Sequence, residues 1–430
     1  MCSQTVSQIF LQSARQFAGR VAYQSKKGDE WIPVTYGSVL QQVKGISYGL
    51  WKLGMRRGDH IALLSENRPE WALSDFGITT VGMVTVTVYP TLIPHQIEYI
   101  LEHSESKIVF VSSANQAEKI ISIRAKLPKL EKMVVFDGCH NLPEEDWILS
   151  LDDLKKSGEA FQELSELHFE DEAEATKPDD LLTLIYTSGT TGNPKGVMLT
   201  HKNLASNVDA GITALNIRKE DHFLSFLPLS HVLERMAGLF CPFTVGATVS
   251  YAESVEQVAA NLKEIHPTVV IAVPRLFEKI YNRVLEGVNS GSPLKKLIFN
   301  WAVKVGSQVS AKFRQFGKEP VGFLSFKYKI AVKLVFSKLQ DATGGRMRFF
   351  ISGGAPLPKE IGEFFDAAGL TILEGFGLTE TSPVTNVNLL SRYKFGTVGP
   401  VVKDVQVKIA DTGEILVLSL IHISEPTTPY

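Results

Sequence analysis

The sequence predicts an α/β protein: two mostly parallel-sheet subdomains, followed by the beginning of a β-rich, barrel-like one. Three observations lead there. Helical and strand patterns alternate for most of the 430 residues, which implies βαβ units and largely parallel sheet. An acidic stretch at 144–180, with fourteen Asp/Glu against Lys155, Lys156 and Lys177, interrupts the alternation and reads as a solvated connector between two halves. After about residue 396 the texture changes to short strands around the turn Asp411-Thr412-Gly413.

The elements follow in order. Val6, Ile9, Phe10, Ala14 and Phe17 recur at helical spacing among polar residues, so 1–17 reads as a helix packed on the domain rather than a signal peptide. A helix closes over 51–57, and 60–64 is a strand. Pro69 opens a helix to Thr80, placing proline in a first turn. The uncharged stretch 76–97 contains Pro90 and Pro94, and Val alternates with Thr before them. It therefore predicts a buried strand at 84–88 and a turn, not a membrane span. A helix at 94–103, a strand at 107–111, a helix at 114–127 and a strand at 133–136 complete the first half. In the second half, 181–187, 268–272 and 346–352 read as strands and 201–215 as a helix. Ser254 is expected to begin a helix, with Gln257 completing a capping box. Short strands are expected at 405–409 and 414–418.

Composition narrows the function. Hydrophobic residues make up 44% and charged residues 21%, with a net charge of −2, which gives no reason to expect nucleic acid as a partner. Cys2, Cys139 and Cys241 fit neither a zinc site nor a disulfide framework, so a reducing, cytoplasmic setting is expected. Residues 295–350 carry twelve Lys/Arg against Glu319 and Asp341. Lys327, Lys329, Lys333 and Lys338 interleave there with Phe326, Ile330, Leu334, Val335 and Phe336. The pattern is that of an amphipathic surface helix, and it also suits peripheral contact with an anionic membrane or with acidic CoA.

The strongest chemical signal is Tyr186-Thr-Ser-Gly-Thr-Thr-Gly-Asn-Pro-Lys-Gly196, expected between a strand and a helix capped by Thr200. Gly189, Gly192 and Gly196 allow close backbone approach to a ligand. Thr187, Ser188, Thr190 and Thr191, with backbone N–H groups, can donate to phosphate oxygens, and Lys195 adds a cation. The spacing is not that of a Walker A loop, and Gly375-Phe-Gly377, followed by Leu-Thr-Glu, is not a dinucleotide fingerprint.

This loop resembles the phosphate loop of the adenylate-forming superfamily: acyl-CoA synthetases, luciferases and peptide-synthetase adenylation domains. Ser352-Gly-Gly-Ala-Pro-Leu357 is similar to that family's adenine-site segment. Glu374-Gly-Phe-Gly-Leu-Thr-Glu-Thr381 is similar to its magnesium and nucleotide motif, and Leu227-Pro-Leu-Ser-His-Val-Leu-Glu-Arg-Met236 to its acyl-site motif. The last, with 346–357, most resembles long-chain acyl-CoA synthetases. The resemblance implies two stacked α/β subdomains, here 1–170 and 171–395, and an incomplete β subdomain at 396–418. It implies ATP, Mg²⁺, CoA and a long-chain fatty acid as reactants, joined through acyl-AMP to acyl-CoA. It places Thr187, Ser188, Gly189, Thr190, Thr191, Gly192 and Lys195 on the β- and γ-phosphates. Thr379 falls on the α-phosphate, Glu380 and Thr187 on the metal, and His231 beside the substrate carboxylate. Gly353, Ala355, Glu374, Gly375, Phe376 and Gly377 form the adenine slot. Phe376 replaces a tyrosine common in the family, so stacking is retained and a hydroxyl lost. A tryptophan gate found four residues after the acyl-site histidine in some relatives has Arg235 at its place here.

Two further expectations concern the ends of the resemblance. The family's Thr-Gly-Asp motif, hinge and small C-terminal domain with its lysine do not follow residue 418. The segment 419–430 reads as a foreign tail, and adenylation by these residues alone is expected to be severely impaired. Other readings stay open: an aryl-CoA ligase or luciferase-like enzyme shares every loop above, and a nucleotide-binding remnant shares the fold. An amino-acid-activating domain is disfavoured because 224–240 contains no Asp to meet a substrate ammonium.

Overall fold

The computed structural model describes residues 4–187 and 192–419. Two sheets form the body. The first has seven strands in the order Ile148–Ser150, Lys132–Val135, Ile108–Val111, His60–Leu64, Val84–Val88, Leu181–Thr187 and Lys195–Thr200. Every pairing is parallel except the last. The second has eight, in the order Val384–Val387, Ile372–Gly377, Phe349–Ser352, Val269–Ala272, His222–Ser225, Thr248–Tyr251, Val21–Lys27 and Glu30–Thr35. Its interior is parallel and its two outermost pairings are antiparallel. Gln406–Ile409 and Ile415–Leu418 form a separate antiparallel ribbon.

The sheets do not divide at residue 170. The hairpin 21–35 joins the second sheet, and strands 181–187 and 195–200 close the first. Thus the chain enters through the second sheet, and the acidic stretch 144–180 is not a solvated connector between halves: it holds the edge strand Ile148–Ser150 and the helices Leu151–Gln162 and Phe169–Ala175, and it joins two strands of the first sheet. The largest apolar core accordingly contains Ile61, Leu63 and Phe110 from one sheet with Phe223, Val249 and Phe349 from the other.

Local chemistry explains the elements. Thr5 caps the helix Val6–Gln16, Gln8 reaches back to complete the box, and Val6, Phe10, Leu11 and Ala14 are buried. The strand Val84–Val88 is buried on both faces. Its threonines are therefore paired: the Thr85 hydroxyl donates to Asp75 at 2.8 Å and that of Thr87 to the Ser230 carbonyl at 3.1 Å. Asp75 in turn accepts from Arg235 at 2.5 and 2.8 Å, and Arg235 also donates to Thr183 at 2.7 Å. Arg235 is fully buried, so this ion pair ties the first sheet to the element following His231.

Two local expectations are corrected. Ser254 does not begin a helix: residues 255–257 form a turn, and the helix runs Val258–Ile265 with Gln257 as N-cap and no side-chain cap bond. Lys195–Thr200 is a strand, so the Gly-rich loop joins two antiparallel strands rather than a strand and a helix. No helix among the described residues is long and apolar enough to cross a membrane.

Candidate active site

Thr187 and Lys195 are register partners at the mouth of the hairpin. Ser188, Gly189, Thr190 and Thr191 lie outside the described residues. Gly192 has φ of +102°, a left-handed conformation that favours glycine. The hairpin is braced from below. A Cβ at Gly196 would stand 3.3 Å from the ring of Tyr186, whose hydroxyl bonds His103 Nδ1 at 2.8 Å. Tyr99 donates to the Pro194 carbonyl at 3.1 Å and fixes the loop's exit. Burial pushes the Tyr186 phenol up to about 12, so it stays protonated and serves as a brace. Lys195 is exposed.

Across from Thr187 stands Glu380, in a short turn over Thr379–Thr381. Thr381 locks that turn by accepting from Leu378 N–H at 2.9 Å and donating to the Pro383 carbonyl at 2.6 Å. Thr187 Oγ1 and Glu380 Oε1 are 3.5 Å apart. A carboxylate and a hydroxyl are hard oxygen donors that suit Mg²⁺, an ion that takes one or two carboxylates and completes its shell with phosphates and water. Among the described residues no cluster of three His, Cys, Asp or Glu could hold a metal alone.

A cavity of about 460 Å³ opens beside this pair. Thr187, Thr379 and Glu380 line it, with Gly353, Gly354, Gly375, Phe376 and Gly377, and His231 is on the same wall. The glycines are there for space: a Cβ at Gly353 would meet Leu233 at 2.8 Å, and one at Gly377 would overlap the Pro383 carbonyl. Phe376 offers a ring to the same wall. His231 Nδ1 accepts from Leu233 N–H at 3.1 Å, which leaves the proton on Nε2. Burial lowers its pKa below the ordinary value, so the imidazole is neutral at pH 7 and can donate one hydrogen bond.

Three expected residues are placed otherwise. Lys195 is not among the residues lining the cavity. Ala355 is exposed and off the wall. The Glu374 carboxylate points into structure, accepting from Leu357 N–H at 3.4 Å and Gly396 N–H at 3.3 Å. Burial pushes its pKa up, and the two backbone donors offset part of that rise.

Of the remaining wall, Met236 was singled out from the sequence only as the end of the acyl-site motif. That wall includes Gly211 and Leu215 from the helix His201–Leu215, Met236 and Ala237 from the π-helix Glu234–Phe240, and Cys241. A π-helix inside an otherwise α-helical run is a frequent mark of a functional site. Its first residue, Glu234, is fully buried and accepts from Ser225 at 2.6 Å. Ser225 accepts from Asn67, which also accepts from Leu229 N–H at 2.9 Å, so the segment leading to His231 is held from both sheets. Arg235, at the place of the family's gate, faces Asp75 and is not on the wall. His201 is the first residue of its helix; it is fully buried and kept neutral by burial.

Comparison with known proteins agrees with this architecture. A family model described as "AMP-binding enzyme" matches residues 10–418. A long-chain-fatty-acid–CoA ligase of Mycobacterium tuberculosis is 35% identical over 415 residues, covering 96% of this chain and 66% of that protein. Fatty acyl-CoA synthetase A of Dictyostelium discoideum is 33% identical over 401 residues, covering 91% of this chain and 56% of that one. The chain thus spans somewhat under two thirds of the length of these relatives. Among solved structures, an anthranilate CoA ligase in complex with anthranoyl-AMP superposes with a TM-score of 0.71 at 21% identity, covering 98% of this chain and 70% of that chain. A Mycobacterium tuberculosis fatty acyl CoA synthetase gives 0.69 at 22%, covering 96% and 67%. These two likenesses bear on the fold.

Proposed function

The chain belongs to the AMP-binding enzyme family, and we propose that it activates a long-chain fatty acid with ATP, first as acyl-AMP and then as acyl-CoA. The observation that carries the reading is the single cavity. It is lined both by the hydroxyl, carboxylate and glycines suited to a nucleotide and by Leu215, Met236, Ala237 and Cys241, which suit an alkyl chain. The relatives named for long-chain fatty acids support the same substrate class.

In this reading the loop 187–192 and Lys195 hold the β- and γ-phosphates. Gly353 and Gly375–Gly377 flank adenine, with Phe376 stacked on it, and Thr379 donates to the α-phosphate. Glu380 and Thr187 would hold Mg²⁺, which when bound neutralises phosphate charge. Neutral His231 donates through Nε2–H to one carboxylate oxygen and so aims the other at the α-phosphorus. The new O–P bond forms as the α–β anhydride breaks, and pyrophosphate leaves with the electron pair. CoA sulfur then attacks the acyl carbon and AMP departs. The protein's part is positioning and charge neutralisation.

The same proposal includes peripheral contact of the 295–350 region with an anionic membrane. Leu297, Phe323, Phe326 and Leu334 are exposed there, and Lys327 Nζ lies 4.6 Å over the Phe323 ring. Acyl-AMP formed in a single turnover from MgATP and palmitate, benzoate or an amino-acid mixture tests the substrate class. Palmitate is expected to react fastest, and a preference for benzoate or amino acids overturns the reading. Because rates are compared between acids, a slow reaction still decides.

A further inference from the structure

Gly211 stands in the middle of a capped, mostly buried helix, where glycine costs about 1 kcal/mol relative to alanine. Its backbone needs no left-handed φ, so conformation does not require it. Space does not forbid the first carbon either: a Cβ there would lie 3.5 Å from Cys241 Sγ and 3.7 Å from Met236 Sδ, ordinary contact distances. What a larger side chain would do is enter the cavity, because Gly211, Met236 and Cys241 all line it.

The facing wall is built to be soft. Cys241 Sγ lies 3.5 Å from Met236 Sδ and 3.7 Å from the Val208 carbonyl. Thioether and thiol groups are polarisable, and methionine has three rotatable bonds, so this wall adapts to an apolar chain end. Both residues belong to the run that begins with the π-helix Glu234–Phe240, whose wider winding sets the wall opposite helix His201–Leu215. The Glu234 carboxylate fits because residue 238 is glycine, where a Cβ would stand 2.5 Å from Oε1.

We propose that Gly211 is the specificity-determining residue for acyl chain length: with no side chain it lets the helix His201–Leu215 close on the Met236–Cys241 pair at the cavity wall, and a larger side chain there would take up space that an acyl chain fills. The inference rests on the acyl-adenylate reading and adds which residue decides how long a chain fits.

The test uses the 430-residue chain and non-hydrolysable acyl-sulfamoyl-adenosine mimics carrying acetyl, octanoyl, palmitoyl and arachidoyl groups, titrated by calorimetry. Wild-type affinity is expected to rise with chain length up to palmitoyl. In Gly211→Val the ratio of palmitoyl to acetyl affinity is expected to fall by about 30-fold, equivalent to two or three methylenes left unburied. Met236→Ala, which shortens the opposite wall, is expected to shift the optimum towards arachidoyl; it keeps the test decisive if Gly211→Val does not fold. A ratio within about threefold of wild type in Gly211→Val, or an unshifted optimum in Met236→Ala, overturns the assignment. If the wild-type chain binds no mimic, the acyl-adenylate reading itself fails. If it binds all of them equally, nucleotide binding stands and the chain-length role of Gly211 falls.

Discussion

Glu380 and Thr187 approach each other from different sheets, each fixed by its own neighbours, with 3.5 Å between their oxygens. Glu380→Ala is expected to weaken MgATP binding about tenfold or more while leaving Mg²⁺-independent AMP binding intact. Glu380 is exposed, so the thermal midpoint should stay nearly unchanged. Calorimetry with and without Mg²⁺ reads this, and equal losses for MgATP and AMP would refute the metal role. Glu234 supplies a pH prediction. Burial raises its carboxyl from 4.5 to about 8, with the Ser225 hydrogen bond acting the other way. The folded state therefore binds a proton that the unfolded state has released, so this group's stabilisation is full below pH 4.5 and is lost as pH rises towards 8. Glu234→Gln, neutral throughout, should flatten that slope in urea melts; an unchanged slope would place the titration elsewhere. At this scale the sequence made glycines and hydroxyls legible, because few structures need them in that order. It could not tell that Glu374 turns towards Leu357 and Gly396, or that Gly211 faces two sulfurs. Both depend on contacts between segments remote in the chain.

At the scale of elements, periodicity located most helices and strands but not the context of the Gly-rich loop. Lys195–Thr200 is a short edge strand containing a glycine and an exposed Met198, so it lacks the alternation that marks a half-buried strand. The consequence is physical: the described chain leaves the loop as the strand Lys195–Thr200, so no helix N-terminus begins there. The Val–Thr alternation of Val84–Val88 correctly indicated a strand, although both faces are buried and the threonines donate to Asp75 and to the Ser230 carbonyl. The helix Gly322–Ala331 and its π-helical continuation Val332–Phe336 hide Tyr328 and Phe336 while exposing Phe323, Phe326 and Leu334 beside lysines. Co-sedimentation with phosphatidylglycerol-containing vesicles should exceed that with pure phosphatidylcholine vesicles. Phe323→Ser with Phe326→Ser should reduce it severalfold. Equal binding to both vesicle types would count against an anionic surface, and an unaffected double variant against this patch.

The largest core is shared between two sheets, each of which takes strands from remote parts of the chain. Composition suggested a break at 144–180 where the first sheet continues, and pairing between remote segments leaves no local signal, so this arrangement was not readable. The buried Asp75–Arg235 pair is the polar tie in that interface, with cation–π contacts from Trp71 and Phe240 around the guanidinium. Arg235→Ala strands a buried carboxylate and is expected to cost about 3–5 kcal/mol, whereas Arg235→Met with Asp75→Leu should recover most of it. Denaturant melts measure both, and a loss below about 1 kcal/mol for Arg235→Ala would show that the pair is not the tie. The central claim is that a single cavity between the sheets holds both nucleotide and acyl chain. Photolabelling with a palmitoyl-sulfamoyl-adenosine that carries a diazirine at the terminal carbon, followed by peptide mass spectrometry, tests it most directly. Label on 208–215 and 233–241, displaced by unlabelled mimic, is the result predicted; displaceable label confined to segments away from that wall would contradict it.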